Sequence, residues 1–477
     1  MRLSNIFPES NSELEIKGLS IDSRQAGPGF LHFCIDGLNV DGHDFALDAI
    51  KNGAVCIVCR MGFSLPDGLE TPLIHVENVR LALSFACADF YAQPAQNMTK
   101  IGITGTNGKS STVHFVSEAL RRITGENIGI IGTLGASING EQINIPYLTS
   151  TTPDTIELYK ILHYMNEKGV KYLVMEVTSH ALALEKTTHI NFDIGIFTNL
   201  SQDHLDFHKT FENYRLAKAK LFDISKKGLI NIDDENAEFV TNYASCDMIS
   251  YSIAQKSKYQ ALDCELLPDG VSYTVNGCEI NVPVAGKFNI YNTLAAFATL
   301  SELGFEEIDI KHALVNVSCI PGRIESVPNQ LGIGVIVDYA HTPDGLLNII
   351  SSCREFAKGR IITVFGAGGN RDSEKRPIMG KIAGELSDFC IITSDNPRNE
   401  NPNEIISDIV AGIKHTVCPY IAINDRFLAI KHAIQNAKTN DIIIIAGKGH
   451  ETYQEFENGN REYFNDKEVA EKIISLF

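Results

Sequence analysis

The sequence predicts an α/β protein of three domains, and three observations carry that expectation. The chain has 477 residues, more than one ordinary hydrophobic core serves. Short apolar runs alternate with stretches of helical spacing, the pattern of a helix-covered parallel sheet. Several of those runs end in glycine, small polar or charged residues, and ligands collect at the carboxyl ends of strands in open α/β sheets.

The elements follow in order. "GFLHFCIDG" and "GAVCIVCR" read as short strands, and "VRLALSFACADFY" as the helix that closes a first, smaller α/β block. "AQPAQNMTK" (residues 92–100) is a proline-containing linker without periodicity, so the first domain is expected over 1–95. The second block carries the strand candidates "KIGIT", "VKYLVMEV", "INFDIGIFTNL" and "KKGLINID". A polar stretch over 257–281 reads as a small β excursion before "GKFNIYNTLAAFATLSELG" returns to helix, giving a central domain over 96–320. Beyond "CIPGRIESV", the runs "IGVIVDYA", "GRIITVFGAGG", "DFCIITSDNPR" and "DIIIIAGKGHE" repeat one plan and define a third domain over 321–477.

The formal charge of −18 argues against a general nucleic-acid or membrane-surface binder, which usually carries a basic excess. Eleven cysteines fall at no framework spacing, and the one CxxC, Cys56 to Cys59, lies in an apolar run without a second pair. Buried thiols in a reducing cytoplasm fit that usage. No apolar signal core or membrane-length run is visible, so a cytoplasmic protein is expected.

The chemistry starts at "GITGTNGKSST". Gly105 and Gly108 allow backbone amides to approach an anion, and Lys109, Ser110 and Ser111 open a helix marked by Val113, Val116 and Leu120. This is a phosphate loop, with Lys109 set for the β and γ phosphates and the hydroxyls near a magnesium ion. It departs from the standard eight-residue pattern, because Ile103 stands where the first glycine would be. Glu176 ends "YLVMEV" and His204 ends "FTNLSQDH", which points both to one sheet edge, where with Ser110 they form a shell suited to magnesium.

"GTNGKSST", "MEVTSHAL", "FTNLSQDHLDFH", "YRLAKAKLF", "GKFNIYN", "GRIESV" and "VDYAHTPDGL", in this order, resemble the Mur ligase family of ATP-dependent amide-bond-forming enzymes. "DNPRNENP" and "AGKGHETYQ" resemble the branch that adds the third residue of the peptidoglycan stem. The resemblance covers essentially the whole chain. It implies a central P-loop-like ATPase domain with a mostly parallel sheet, a Rossmann-like C-terminal domain and a uridine-diphosphate-binding first domain. It also implies a monomer that uses ATP, Mg2+, UDP-N-acetylmuramoyl-L-alanyl-D-glutamate and meso-diaminopimelate.

Residue by residue, the resemblance implies that Lys218 is carbamylated (N6-carboxylysine) and joins Ser110, Glu176 and His204 at the metal, with Lys109 catalytic beside them. Thr106 and Asn107 belong to the ATP loop, Asn289 to the adenine, Arg323 to the γ-phosphate and Asp338 to the ribose. Ser23 and the turn from Asp41 to His43 match the uridine-diphosphate surface. Thr151, Thr152, Ser179, His180 and Lys186 match the muramoyl-peptide contacts, although "STTPDT" by itself reads equally as a serine-threonine helix cap. Thr178 stands for a usual serine, and Leu184 and Lys186 stand where glutamine and arginine are common. Arg371, Asp395, Asn396, Pro397, Arg398, Gly447 and Glu451 match the amino-acid site, with Ala367 and Asn370 replacing cysteine and aspartate. Diaminopimelate carries a distal carboxylate that lysine lacks, so Arg398 is the cation expected to select it.

Three alternatives stay open on sequence: the same ligase adding L-lysine or another diamino acid, a folylpolyglutamate synthetase-like ligase, and a non-enzymatic nucleotide-binding regulator. The second has no use for "DNPR". The third has none for Glu176, His204 and Lys218 together.

Overall fold

The computed structural model describes residues 1–10, 12–37, 40–145, 151–201, 203–267, 270–317, 322 and 324–477, without the side chain of Asp206. The chain forms two compact units, Met1–Gln260 with Asn292–Ala313, and Ala261–Tyr291 with Leu314–Phe477. Among the described residues no helix is long and apolar enough to cross a membrane.

The first unit opens with a parallel sheet of β1 (Gly18–Ser20), β2 (Phe30–Phe33), β3 (Ala54–Arg60) and β4 (Leu73–Val76), in that order. The "AVCIVCR" run is β3, and its Cys56 and Cys59 are free, buried thiols. The helix Val79–Phe90, capped by Asn78, closes the block where the apolar spacing places it.

The same unit holds a larger sheet. Its strands are β5 (Thr99–Thr104), β6 (Ile128–Gly132), β7 (Gly135–Ile138), β8 (Glu141–Gln142), β9 (Tyr172–Glu176), β10 (Phe192–Phe197), β11 (Ser225–Asn231), β12 (Asp247–Ser252) and β13 (Tyr259–Gln260). Their spatial order is β13-β12-β11-β10-β5-β9-β6-β7-β8. Only β7 and β8 run antiparallel to their neighbours. β5 lies between β9 and β10 and is parallel to both, so the loops after these three strands emerge at one edge. Ile101, Ile103, Val174, Ile194 and Ile196 are buried, which is why these strands read as unbroken apolar runs.

The second unit starts with the antiparallel meander β14 (Leu262–Leu267), β15 (Gly270–Val275) and β16 (Cys278–Val282), the β excursion of the sequence. Its main sheet comprises β17 (Glu325–Ser326), β18 (Gly334–Asp338), β19 (Ile361–Phe365), β20 (Phe389–Ile392), β21 (Tyr420–Ala422) and β22 (Ile442–Ala446), ordered β17-β18-β22-β19-β20-β21. All pairs are parallel except β17 with β18. Every residue of β19 and β22 is buried, a core position suited to "IITVF" and "IIIIA". A hairpin of β23 (Tyr453–Glu455) and β24 (Arg461–Tyr463) follows.

Candidate active site

The phosphate loop joins β5 to the helix Lys109–Thr124. Gly105 (φ +149°) and Gly108 (φ +81°) hold backbone conformations that side chains disfavour, and neither has room for one. A Cβ on Gly105 would strike Thr198 Oγ1, and one on Gly108 would lie 2.5 Å from Asn292 Oδ1. The loop is strapped down from the chain after β10. Thr106 N–H donates to the Asn199 carbonyl and Asn107 N–H to Asn199 Oδ1, both at 2.9 Å, while Thr198 Oγ1 donates to the Asn107 carbonyl at 2.6 Å. Lys109 Nζ folds back onto the carbonyls of Gly105 (2.8 Å) and Thr106 (2.9 Å), so the loop's cation stands over its own backbone.

Ser110 and Glu176 meet. Ser110 Oγ donates to Glu176 Oε1 at 2.9 Å, and Thr133, in the turn between β6 and β7, donates its N–H to Oε1 (2.9 Å) and its hydroxyl to Oε2 (3.1 Å). Glu176 is the last residue of β9 and only 2% exposed, so this clasp replaces the water the carboxylate gives up. A hydroxyl and a carboxylate beside a phosphate loop are hard oxygen donors, and they fit a magnesium ion.

Lys218, in the helix Phe211–Ala219, is buried, and its Nζ donates to the same Gly105 carbonyl at 2.8 Å. Two lysine side chains therefore converge on one oxygen. Burial first, and the charge of Lys109 second, hold the Lys218 amine well below the ordinary lysine range. Lys220, two residues on, is a surface lysine paired with Glu185 at 2.8 Å.

His204 sits farther from its strand than the sequence implies. β10 ends at Phe197, and His204 caps the short helix Leu205–His208 in a left-handed conformation. Its half-exposed ring lies 3.3 Å from Asp203 Oδ2 and edge-on to His180 at 4.8 Å between centroids. Among the described residues no hydrogen bond or ion pair joins His204 or Lys218 to Ser110 or Glu176.

The proposed muramoyl-peptide residues line the chain after β9. Thr152 Oγ1 donates to the Glu176 carbonyl at 3.0 Å and accepts from Thr178 N–H at 3.2 Å, and Thr151 Oγ1 lies 3.2 Å from Thr133 Oγ1. Thr178 caps the helix Ser179–Ala183, so the hydroxyl that replaces serine there does structural work. Ser179 Oγ is 2.9 Å from His208 Nε2, His180 stacks between His204 and Phe207, and Lys186 is buried in an ion pair with Asp154. In the first sheet Ser23 is buried. Asp41 holds His43 through backbone and ring contacts of 2.9 and 2.7 Å, and Arg60 bridges Asp41 and Asp36.

In the second unit, Asn289 Nδ2 donates to the Ala285 carbonyl at 2.7 Å, and Asp338, at the end of β18, accepts from Ile324 and Ala340 N–H, each at 2.8 Å. Arg323 lies outside the described residues. The residues expected at the amino-acid site gather beyond β19, β20 and β22. Arg398 Nη1 donates to the Gly369 carbonyl at 2.8 Å, its Nε lies 3.4 Å from Glu455 Oε2, and its backbone is left-handed (φ +52°). Asn396 and Glu451 are hydrogen bonded at 2.9 Å. Asp395 is buried with Oδ2 unpartnered among the described residues and leaves no room for a Cβ on Gly447, while Arg371 is exposed. Pro397 carries its carbonyl against Gly369, where a side chain would strike it.

The sequence reading missed Thr133, Tyr214, His208 and Lys448. Tyr214 holds Thr106 Oγ1 at 3.1 Å and lies under Lys218 at 4.7 Å from its ring centre. Lys448 stood inside "AGKGHE", His208 at the end of "FTNLSQDHLDFH" and Tyr214 at the start of "YRLAKAKLF", so each had a motif as its signal. Thr133 sits in no motif, and only packing brings it to Glu176.

Family models match the chain three times: the Mur ligase family catalytic domain over 15–91, the Mur ligase middle domain over 103–300 and the glutamate ligase domain of Mur ligases over 322–449. A protein of Caldanaerobacter subterraneus subsp. tengcongensis named UDP-N-acetylmuramoyl-L-alanyl-D-glutamate--2,6-diaminopimelate ligase is 42% identical, over 98% of this chain and 96% of its own. One of the same name from Clostridioides difficile is 42% identical over 99% and 97%. A solved structure with that name superposes with a TM-score of 0.73 at 29% identity, covering 100% of this chain and 99% of the other. A Mycobacterium tuberculosis folylpolyglutamate synthase shares the fold at a TM-score of 0.61 and 17% identity, over 77% of this chain and 92% of its own.

Proposed function

The chain belongs to the Mur ligase family of three-domain, ATP-dependent, ADP-forming ligases, and we propose that it adds meso-diaminopimelate to the D-glutamate of UDP-N-acetylmuramoyl-L-alanyl-D-glutamate in peptidoglycan synthesis. The observation that carries this reading is likeness along nearly the whole chain to relatives named for that reaction. Boundaries near 95 and 320, a monomeric state and a cytoplasmic location belong to the same proposal.

Joining a carboxylate to an amine in water is uphill, so the D-glutamate side chain first attacks the γ-phosphorus of ATP and ADP leaves. The amine of diaminopimelate then attacks the acyl carbon, a tetrahedral intermediate collapses, and phosphate and a proton depart. Two anions meet in the first step, so positioning and charge neutralisation carry the catalysis. Lys109, released from the Gly105 and Thr106 carbonyls, is the cation for the transferring phosphate, and the loop amides supply further donors. Ser110 and Glu176 would hold magnesium, which would supply positive charge for the phosphate transfer.

The Lys218 geometry supports its carbamylation. A buried amine crowded by Lys109 favours its neutral form, and neutral amines add to CO2 with loss of a proton. The product is an anion beside Lys109, which turns a repulsion into an attraction and adds a carboxylate to the oxygen donors. His204 completes that set only if its loop turns it from Asp203.

At the far end, Arg398 and Glu451 offer opposite charges to the distal carboxylate and ammonium of diaminopimelate. The test is release of ADP with and without each partner. Turnover that requires both the muramoyl dipeptide and diaminopimelate supports the reading, and turnover with a folate in their place overturns it.

A further inference from the structure

Lys448 is fully buried, yet the site as read above gives it no task. Its Nζ donates to Asn396 Oδ1 at 3.0 Å and to Glu451 Oε2 at 2.9 Å. Asn396 Oδ1 also accepts the Glu455 N–H at 3.0 Å, and Asn396 Nδ2 donates to Glu451 Oε2 at 2.9 Å. An ammonium and a backbone N–H are donors only, and a carboxylate is an acceptor only. The three neighbours therefore permit one orientation of the Asn396 amide. Both acceptor positions of its oxygen are occupied, and one N–H remains beyond the one given to Glu451.

The same bonds shape Glu451. Among the described residues both hydrogen bonds to its side chain go to Oε2, one from Lys448 and one from Asn396, and the side chain is 17% exposed. Oε1 is the face left for a substrate ammonium. Glu455 ties this group to Arg398, whose N–H donates to the Glu455 carbonyl at 3.0 Å.

We propose that Lys448 is a positioning residue for amino-acid selection: it locks Asn396 as a hydrogen-bond donor toward the substrate carboxylate and keeps Glu451 Oε1 turned to the substrate ammonium. The inference rests on the diamino-acid reading of this site. With Lys448 absent, only the Glu455 N–H still holds the Asn396 oxygen, so the amide is held less firmly toward a substrate carboxylate, and Glu451 loses the cation that fixes one of its oxygens.

Lys448→Met keeps the length and removes the donor. Loss of one oriented contact to a charged group raises the KM for diaminopimelate by roughly 10- to 100-fold, with kcat and the KM values for ATP and the muramoyl dipeptide within about 3-fold. Lys448→Gln, which retains an N–H for Asn396 Oδ1, recovers part of the loss, and it carries the comparison if Lys448→Met does not fold. On a Glu451→Gln background, Lys448→Met has a smaller further effect, because only the route through Asn396 remains to be lost. A kcat loss for every substrate with an unchanged amino-acid KM, or equal effects on both backgrounds, overturns the proposal. Wild-type enzyme that ignores diaminopimelate overturns the underlying function instead.

Discussion

Replacing Arg398 by alanine tests the choice of amino acid directly. Among the described residues, the guanidinium makes one hydrogen bond, to the Gly369 carbonyl, and a 3.4 Å contact with Glu455. Losing those costs about 1 kcal/mol, but the cost falls equally on every substrate and cancels in a ratio. Alanine adds little backbone strain, because Arg398 already occupies the left-handed region. The remaining loss is specific: a distal carboxylate enters without its partner. Truncating one side of a buried charge pair costs about 2–5 kcal/mol. Arg398 is 23% exposed, so water reaches part of the pair and the low end applies. At about 2–3 kcal/mol, the preference for diaminopimelate over lysine in kcat/KM falls roughly 30- to 150-fold. The assay measures ADP release with saturating ATP and muramoyl dipeptide while each amino acid is varied. Arg398→Lys recovers only part of the preference, because a point charge lacks the two-pronged contact. Equal slowing with both amino acids would refute the reasoning and leave Arg398 as a support for the Gly369 loop.

Lys218→Ala nearly abolishes ligation, and a small carboxylic acid or high bicarbonate restores part of it, since the missing element is a carboxylate; a fully active variant, read by ADP release, sinks the carbamate. Gly108→Ala places a Cβ 2.5 Å from Asn292 Oδ1 at a φ of +81°, so ATP binding by calorimetry weakens at least tenfold, at about 1.4 kcal/mol per tenfold. His32, buried and 3.0 Å from Ser20 Oγ, is pushed by burial from 6.5 down to about 4. The fold keeps it neutral, so its contribution is complete above pH 6.5 and is lost as pH falls toward 4; about 3 kcal/mol is at stake. Urea unfolding of His32→Gln at both ends of that window should show a flatter pH dependence than the parent, and parallel profiles would exclude His32 as the cause.

Much was legible because local pattern governs it. The strands ending at Thr104, Glu176, Asp338 and Ala446 announce themselves as apolar runs, since a strand covered on both faces has no polar side to show. The phosphate loop is equally local, because its glycines serve a backbone conformation. β6 was harder: "IGIIG" is short and glycine-flanked, and nothing in its composition separates it from a turn. The 261–282 meander read correctly as β structure, but its grouping with the second unit depends on contacts that no local pattern encodes. Side-chain meetings lie further out of reach. Lys218 and Gly105 are 113 residues apart, Glu176 and Thr133 are 43 apart, and Lys448 and Asn396 are 52 apart. The sequence determined which residues carry charge and which backbone segments present them, since both follow from residue type and its neighbours. Only the tertiary structure decided that two lysines share one carbonyl, that a threonine clasps Glu176, and that a buried ammonium sets the direction of Asn396, because each depends on where separate strands end after they pack.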